Sequence, residues 1–167
     1  MRSLLKMLKR MLATRPVKAL LIGALSIGIG SCSSSKPQPM QIFQTIRASE
    51  RLNPNVHEIS RPVYIDVFFL NEIDAFEDAK VEQLIDNPTA TLGNSMIKKS
   101  RYFVKPGSEH DIRVSVPEGS RFLAVFANFR HADSAADKTF VPLPQQTGTK
   151  YNLTIQLQGF QLSTRFE

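Results

Sequence analysis

The chain has 167 residues, a hydrophobic fraction of 42% and a formal net charge of +6 at pH 7. Six of its basic residues and none of its acidic residues precede Cys32, so the remainder of the chain carries no net charge. The pI of about 9.7 therefore does not indicate a nucleic-acid-binding domain, because the excess positive charge lies in a short N-terminal segment.

Residues 1–31 are predicted to be a secretory signal peptide. A basic stretch is followed by an uncharged apolar run, from Ala19 to Ser31, that ends in small residues. This run has 13 residues, whereas a helix needs ~20 to cross a bilayer. We therefore do not expect it to remain as a transmembrane anchor.

The chain contains a single cysteine, Cys32, at the end of this run. The residues Ile29, Gly30, Ser31 and Cys32 resemble a bacterial lipobox. The resemblance implies cleavage before Cys32 and acylation of both the thiol and the new amino terminus, and two or more acyl chains anchor a protein stably. The alternative is an ordinary buried cysteine, and a disulfide within the chain is excluded because there is no second thiol.

Residues 32–39 are interpreted as the acylated cysteine and a flexible tether, since the segment is rich in serine and proline. Residues 40–167 are predicted to form one mainly β domain, because short apolar segments alternate with turn residues. Val63, Ile65, Val67 and Phe69 share one face of a predicted interior strand. The predicted strands cover residues 40–49, 62–71, 99–106, 110–117, 121–130, 138–144, 150–159 and 161–167.

One helix is predicted between the second and third strands. Asp74 is the predicted N-cap, with Glu77 completing a capping box, and Asn87-Pro88 is the predicted end. Phe76 and Leu84 fall on a shared side of this helix. The alternative for this segment is an irregular insertion that crosses the sandwich.

The residue types that carry catalysis or metal binding form no recognisable motif. His57, His110 and His131 are far apart and lack the spacing of a metal site. We therefore expect no catalytic residue, no metal and no cofactor. A cluster of carboxylates favours a solvated helix start over an acid–base pair; its members are Glu72, Asp74, Glu77, Asp78 and Glu82.

The segment 49–62 is predicted to be a long loop between the first two strands. It contains Asn53-Pro54-Asn55, an apolar Val56 that is expected to be exposed, and the basic residues Arg51, His57 and Arg61. Long loops on rigid β scaffolds often carry binding function, although a plain connecting loop is the alternative.

Four segments, in this order and after a lipobox, resemble the TssJ family, the outer-membrane lipoprotein of the type VI secretion system. They are "LNPNVHEISRPVYIDVFFLN", "DAFEDAKVEQLID", "LGNSMIKKSRYFVKPG" and "FLAVFANFRHADSA". The resemblance implies a transthyretin-like two-layer β-sandwich with one short helix and a role other than catalysis.

The resemblance also implies a partner and a location. Members of the family bind the periplasmic part of the inner-membrane protein TssM and help to build the secretion membrane complex. By position, the predicted contact residues are Asn53, Pro54, Asn55, Val56 and His57. The expected location is the outer membrane, through lipid on Cys32, with the domain facing the periplasm; no nucleic acid and no small-molecule substrate are expected.

Two other classes of protein stay open on the residues themselves. A periplasmic lipoprotein that binds a small ligand needs a deep apolar pocket with converging polar groups. An enzyme needs buried ionisable residues that converge only in the folded chain.

Overall fold

The computed structural model describes residues 39–130, 137–144 and 150–167. Eight strands cross this part of the chain: β1 Gln41–Leu52, β2 Val63–Leu70, β3 Met96–Val104, β4 Glu109–Ser115, β5 Phe122–Ala127, β6 Lys138–Pro142, β7 Lys150–Gly159 and β8 Gln161–Phe166. Each overlaps a segment for which the sequence predicts a strand, although β1 ends later and β3 begins earlier than predicted. The predicted signal peptide, Cys32 and nearly all of the predicted tether lie outside the described residues.

The strands form two four-stranded sheets. Their orders are β4-β1-β7-β8 and β3-β2-β5-β6. β1 and β7 run parallel, whereas the other paired strands are antiparallel. The prediction of a mainly β, two-layer β-sandwich is confirmed.

The main core lies between the sheets and follows the period-two pattern of the sequence. Val63, Ile65 and Val67 of β2 are buried there, and so are Ile155 and Leu157 of β7. β2 and β5 are the inner strands of their sheet, which explains why both faces of these strands are apolar. The predicted interior position of β2 is confirmed, and β5 lies beside it as the other interior strand.

A second apolar cluster covers part of the outer face of the β2 sheet. Phe68 and Leu70 pack there against Phe76, Leu84 and other residues of the helical segment. Burial of each such side chain stabilises the fold by roughly 1.5–3 kcal/mol. The helical segment therefore forms a third layer over one part of the sandwich.

The prediction of one helix in this segment is wrong, because the segment forms three short helices. They are α1 Asp74–Asp78, α2 Val81–Asp86 and α3 Pro88–Leu92, and a 3-10 turn, Gly93–Ser95, follows them. The backbone is extended at Ala79 and Lys80, with ψ angles of 133° and 153°, so no helix can continue through these residues. Ala79 is buried in the apolar cluster instead.

The helix ends also differ from the prediction. Asp74 is the first residue of α1 and makes no cap, since the N-cap position belongs to Ile73. The reach-back hydrogen bond of a capping box occurs at α2, where the Lys80 amide donates to Gln83 Oε1 at 2.9 Å. Asn87 ends α2, as predicted, and also caps α3 by accepting from the Ala90 amide at 3.1 Å.

Lys138 of β6 fastens the end of α1 to the sheet. Its Nζ donates to the carbonyl oxygens of Phe76, Glu77 and Ala79 at 3.1, 2.9 and 2.7 Å. The last carbonyls of a helix have no partner within the helix, and a cation is favourable at that end. Lys138 therefore supplies the hydrogen bonds that these carbonyls would receive if the helix continued past Ala79.

Within the described ranges, no helix has the length and apolar character needed to span a membrane.

Candidate partner-binding site

The β1–β2 loop consists of residues 53–62. The sequence predicts that the loop starts at residue 49, but β1 continues past a bulge and pairs Leu52 with Gly159 of β7. The Arg61 amide donates to the Leu52 carbonyl at 2.9 Å and closes the loop at its base. The ends of the loop are therefore held together by the backbone.

Asn53 organises the base of this loop. Its amide donates to the Gly159 carbonyl at 2.9 Å, and its side-chain Nδ2 donates to the Pro62 carbonyl at 3.2 Å. Its Oδ1 accepts from the Arg130 amide at 2.9 Å. The residue has a φ of 43° and is 3% exposed. Asn53 therefore stabilises the base of the loop, and little of its surface is accessible to a partner.

The other predicted contact residues divide by exposure. Pro54 is buried at the base of the loop, and Asn55 is half-buried. Val56 is 81% exposed, and His57 is also exposed. The same tip exposes Ile59, at 53%, which is not among the residues predicted from the sequence. Whether any of these residues contacts a partner stays a prediction.

The tip of the loop is held in shape by Asn55. Its Oδ1 accepts from the amides of His57 and Ile59, both at 3.0 Å, and its own amide donates to the Ile59 carbonyl at 2.9 Å. Such a turn, built on an Asn side chain, fixes the backbone locally. An ion pair between Arg51 and Glu58 lies beside it. The tip thus presents two apolar side chains from an ordered backbone.

A cleft of about 510 Å³ opens next to the loop base. It lies between residues 61–64 and residues 128–130, which follow β5. Arg61 and Arg130 line it together with Asn53, Asn128 and Tyr64. Both arginines are exposed.

Tyr64 also belongs to an exposed aromatic pair on the outer face of the second sheet. Its ring centroid lies 5.0 Å from that of Phe103 on β3, and these residues are 51% and 45% exposed. The Arg101 guanidinium lies 5.9 Å from the Tyr64 ring. The helices do not cover this pair, so apolar surface extends from the cleft to the edge strand β3.

No arrangement typical of catalysis is present in the described part of the chain. It contains no group of three or more histidine, cysteine or acidic residues placed to hold a metal ion. His57 and His110 are exposed, and His131 is outside the described residues. The predicted solvated carboxylate cluster is confirmed, since all its members are exposed; they are Glu72, Asp74, Glu77, Asp78 and Glu82.

The comparisons with known proteins agree with this architecture. The profile of a family described as "Type VI secretion lipoprotein, VasD, EvfM, TssJ" matches residues 41–159. The crystal structure of the T6SS lipoprotein TssJ1 from Pseudomonas aeruginosa has 24% sequence identity and a TM-score of 0.72, over 77% of this chain and 97% of that chain. No curated protein sequence matches the chain.

Two further solved structures share the fold. Serratia marcescens Lip, described as a membrane bound component of the Type VI Secretion System, has 20% identity and a TM-score of 0.68, over 75% of this chain and 96% of that chain. A structure described as T6SS protein TssM C-terminal domain (869-1107) from EAEC matches with 17% identity and a TM-score of 0.60, over 75% of this chain and 97% of that chain.

A two-layer β-sandwich of this kind is the fold of lipoprotein components of a bacterial secretion system. The profile match covers more than half of the residues. The first three sequence segments noted above, and residues 122–130 of the fourth, lie within or close to the described strands and helices. The chain belongs to the type VI secretion lipoprotein family (VasD, EvfM, TssJ).

Proposed function

We propose that this lipoprotein is anchored in the outer membrane by lipid on Cys32 and binds the periplasmic part of a TssM-like inner-membrane protein through the β1–β2 loop. Its role in the secretion membrane complex is to hold this partner at the membrane, without catalysis. The observation that carries the proposal is the family membership of residues 41–159. The lipobox-like residues before Cys32 support the anchor.

The geometry of the loop supports its role as the contact surface. Val56 and Ile59 are exposed apolar side chains on a backbone held by Asn53 and Asn55. Ordering a loop on binding costs free energy, and a loop that is already ordered avoids much of this cost. An exposed apolar tip on a fixed backbone is therefore suited to binding a protein.

The test of this contact is a titration of the full-length lipoprotein, in detergent micelles, with the periplasmic part of the TssM-like protein. The double variant Val56→Ser/Ile59→Ser is expected to bind about 10-fold more weakly, because it loses buried apolar area at the contact. Asn53 and Pro54 are left unchanged, since they are buried and their replacement also disturbs the fold.

The matched control for this titration is Ile85→Ser/Ile97→Ser. Both isoleucines are 37% exposed, on α2 and β3, away from the loop. This control is expected to bind like the wild type. An unchanged Kd in the loop variant, or an equal loss in the control, would argue against the loop as the contact.

The anchor has a separate test. Cys32→Ser removes the thiol that is proposed to be acylated and leaves the domain sequence intact. The variant is expected to leave the outer-membrane fraction, with an unchanged thermal unfolding curve. Mass spectrometry of the wild type is expected to find acyl groups at an amino terminus that begins with Cys32. A mature chain with no acyl group there contradicts the anchor.

A further inference from the structure

The eight arginines of the described part of the chain fall into three groups. Four contact a carboxylate: Arg47 with Glu109, Arg51 with Glu58, Arg101 with Asp66, and Arg165 with Glu167. Two others, Arg113 and Arg121, lie over the rings of Phe43 and Phe122. Arg61 and Arg130 have no such partner among the described residues, and these two line the same cleft.

The backbone fixes both arginines at this cleft. The Arg61 amide is bound to the carbonyl of Leu52, and the Arg130 amide is bound to the side chain of Asn53. Leu52 and Asn53 are adjacent in the chain, so the end of β1 positions the main chain of both arginines at the cleft. Among the residues that the structure describes, no acidic residue lines the cleft. Two like charges held at one cleft repel each other, and an anion bound between them removes this cost.

From this arrangement we infer that the cleft between the β1–β2 loop and residues 128–130 binds an aspartate- or glutamate-bearing segment of the protein partner, and that Arg61 and Arg130 hold its carboxylate. The inference rests on the proposed function for the identity of the partner. Arginine fits this task because its planar guanidinium donates two parallel hydrogen bonds to a carboxylate.

The surroundings of the cleft favour a protein segment as its occupant. Arg61 belongs to the loop that carries Val56 and Ile59, so the cleft continues the proposed contact surface. On its other side, Tyr64 lines the cleft and packs against the exposed Phe103. A chain segment can place its acidic side chain between the arginines and cover these apolar side chains at the same time.

The first test measures binding of the full-length lipoprotein in micelles to the periplasmic part of the TssM-like protein at low and high salt. Arg61→Gln/Arg130→Gln is expected to weaken binding at least about 10-fold at low salt. It is also expected to lose most of the salt dependence of the wild type. Arg113→Gln/Arg165→Gln removes the same charge from the other sheet and is expected to bind like the wild type.

The second test identifies the partner group by cross-linking. A water-soluble carbodiimide joins an amine to a carboxylate but does not react with a guanidinium. Arg61→Lys and Arg130→Lys are therefore expected to give an amide bond, from the introduced amine to an aspartate or glutamate of the partner, that mass spectrometry can locate. Arg113→Lys is the control and is expected to give none.

The outcomes separate this inference from the proposed function. If the wild type binds and Arg61→Gln/Arg130→Gln binds with the same affinity and salt dependence, the inference is wrong and the proposed function stands. Failure of the wild type to bind overturns both. Thermal unfolding of each variant shows whether it is folded, and retention of binding by Arg61→Lys/Arg130→Lys supports a role for charge rather than for the fold.

Discussion

Arg101 on β3 holds the carboxylate of Asp66 on β2 with two hydrogen bonds, from Nε to Oδ1 at 2.7 Å and from Nη2 to Oδ2 at 2.8 Å. The Nζ of Lys99 lies 3.0 Å from the same carboxylate. The Asp66 side chain is 3% exposed, so these two cations replace the water that it loses on folding. The three residues join the two strands beside the helical layer.

The first prediction is that Arg101→Met lowers the free energy of unfolding by about 2 kcal/mol, because a buried carboxylate loses its two-point partner. Chemical unfolding in urea measures the change. The control Arg165→Met removes an ion pair with Glu167 that is 3.9 Å long and exposed, and it is expected to change stability by less than about 0.5 kcal/mol. Equal effects of the two substitutions contradict the prediction.

The second prediction concerns acid. Burial acts to raise the pKa of Asp66, but hydrogen bonds from Arg101 and Lys99 and their charges outweigh it, so the pKa lies below its usual value of 3.8. A carboxylate with a lowered pKa in the folded state stabilises the fold above its unfolded pKa. This stabilisation is lost as the pH falls through the lower, folded value.

The measurement compares the free energies of unfolding of the wild type and Asp66→Asn as the pH falls. The wild type is expected to be more stable near pH 5, and this advantage is expected to shrink as the pH falls below the usual pKa of 3.8. An advantage that does not change as the pH falls below this value means that Asp66 is not the group responsible.

The third prediction is that Lys138→Met loosens the helical layer. Methionine has a side chain of similar length to lysine, but it leaves the carbonyls of Phe76, Glu77 and Ala79 without their hydrogen-bond donor. We expect the free energy of unfolding to fall by about 1–3 kcal/mol. Hydrogen exchange at the amides of α1 and α2 is expected to become faster than in the wild type, by more than it does in the sheets. Lys150→Met, at an exposed position on β7, is the control and leaves exchange in the helices unchanged.

The fourth prediction separates the two tasks of Asn53. Asn53→Ala loses the side-chain hydrogen bonds to Pro62 and Arg130 and also places alanine at a φ of 43°. Asn53→Gly loses the same hydrogen bonds but tolerates this φ. Both variants are expected to be less stable than the wild type, and the alanine variant is expected to be the worse by about 1 kcal/mol. Thermal unfolding measures the stabilities of the three proteins. A glycine variant that is less stable than the alanine variant contradicts the prediction.

The strands could be predicted because each carries its own apolar pattern. Alternation in β7 places Leu153, Ile155 and Leu157 inward without any knowledge of a partner strand. The division of the predicted helix into three could not be predicted from the sequence. The break at Ala79 depends on a hydrogen bond from Lys138, which lies 59 residues further along the chain. A local sequence pattern contains no information about a hydrogen-bond donor on a distant strand.

The loop shows the same limit at the candidate site. Its position between two strands follows from the sequence, and so does the exposure of Val56. The burial of Asn53 does not, because its partners Gly159 and Arg130 come from the end of β7 and from the segment after β5, both far away in the sequence. The pairing of Arg61 and Arg130 at one cleft is likewise a product of the fold. Ile59 could have been predicted as a contact residue, because it is a second apolar residue in the same asparagine-containing loop as Val56.

The course of β1 determines how the domain responds to tension. The strand starts at Gln41, close to the N-terminal segment, and ends at Leu52, next to the loop, a distance of roughly 35 Å. A pull between these two ends is directed along the strand, which is flanked by β4 on one side and β7 on the other. The covalent backbone of β1 carries this pull, and a β-strand is already close to its full extension, so it can lengthen very little. The domain is therefore built to resist stretching along the line from its N-terminus to the loop.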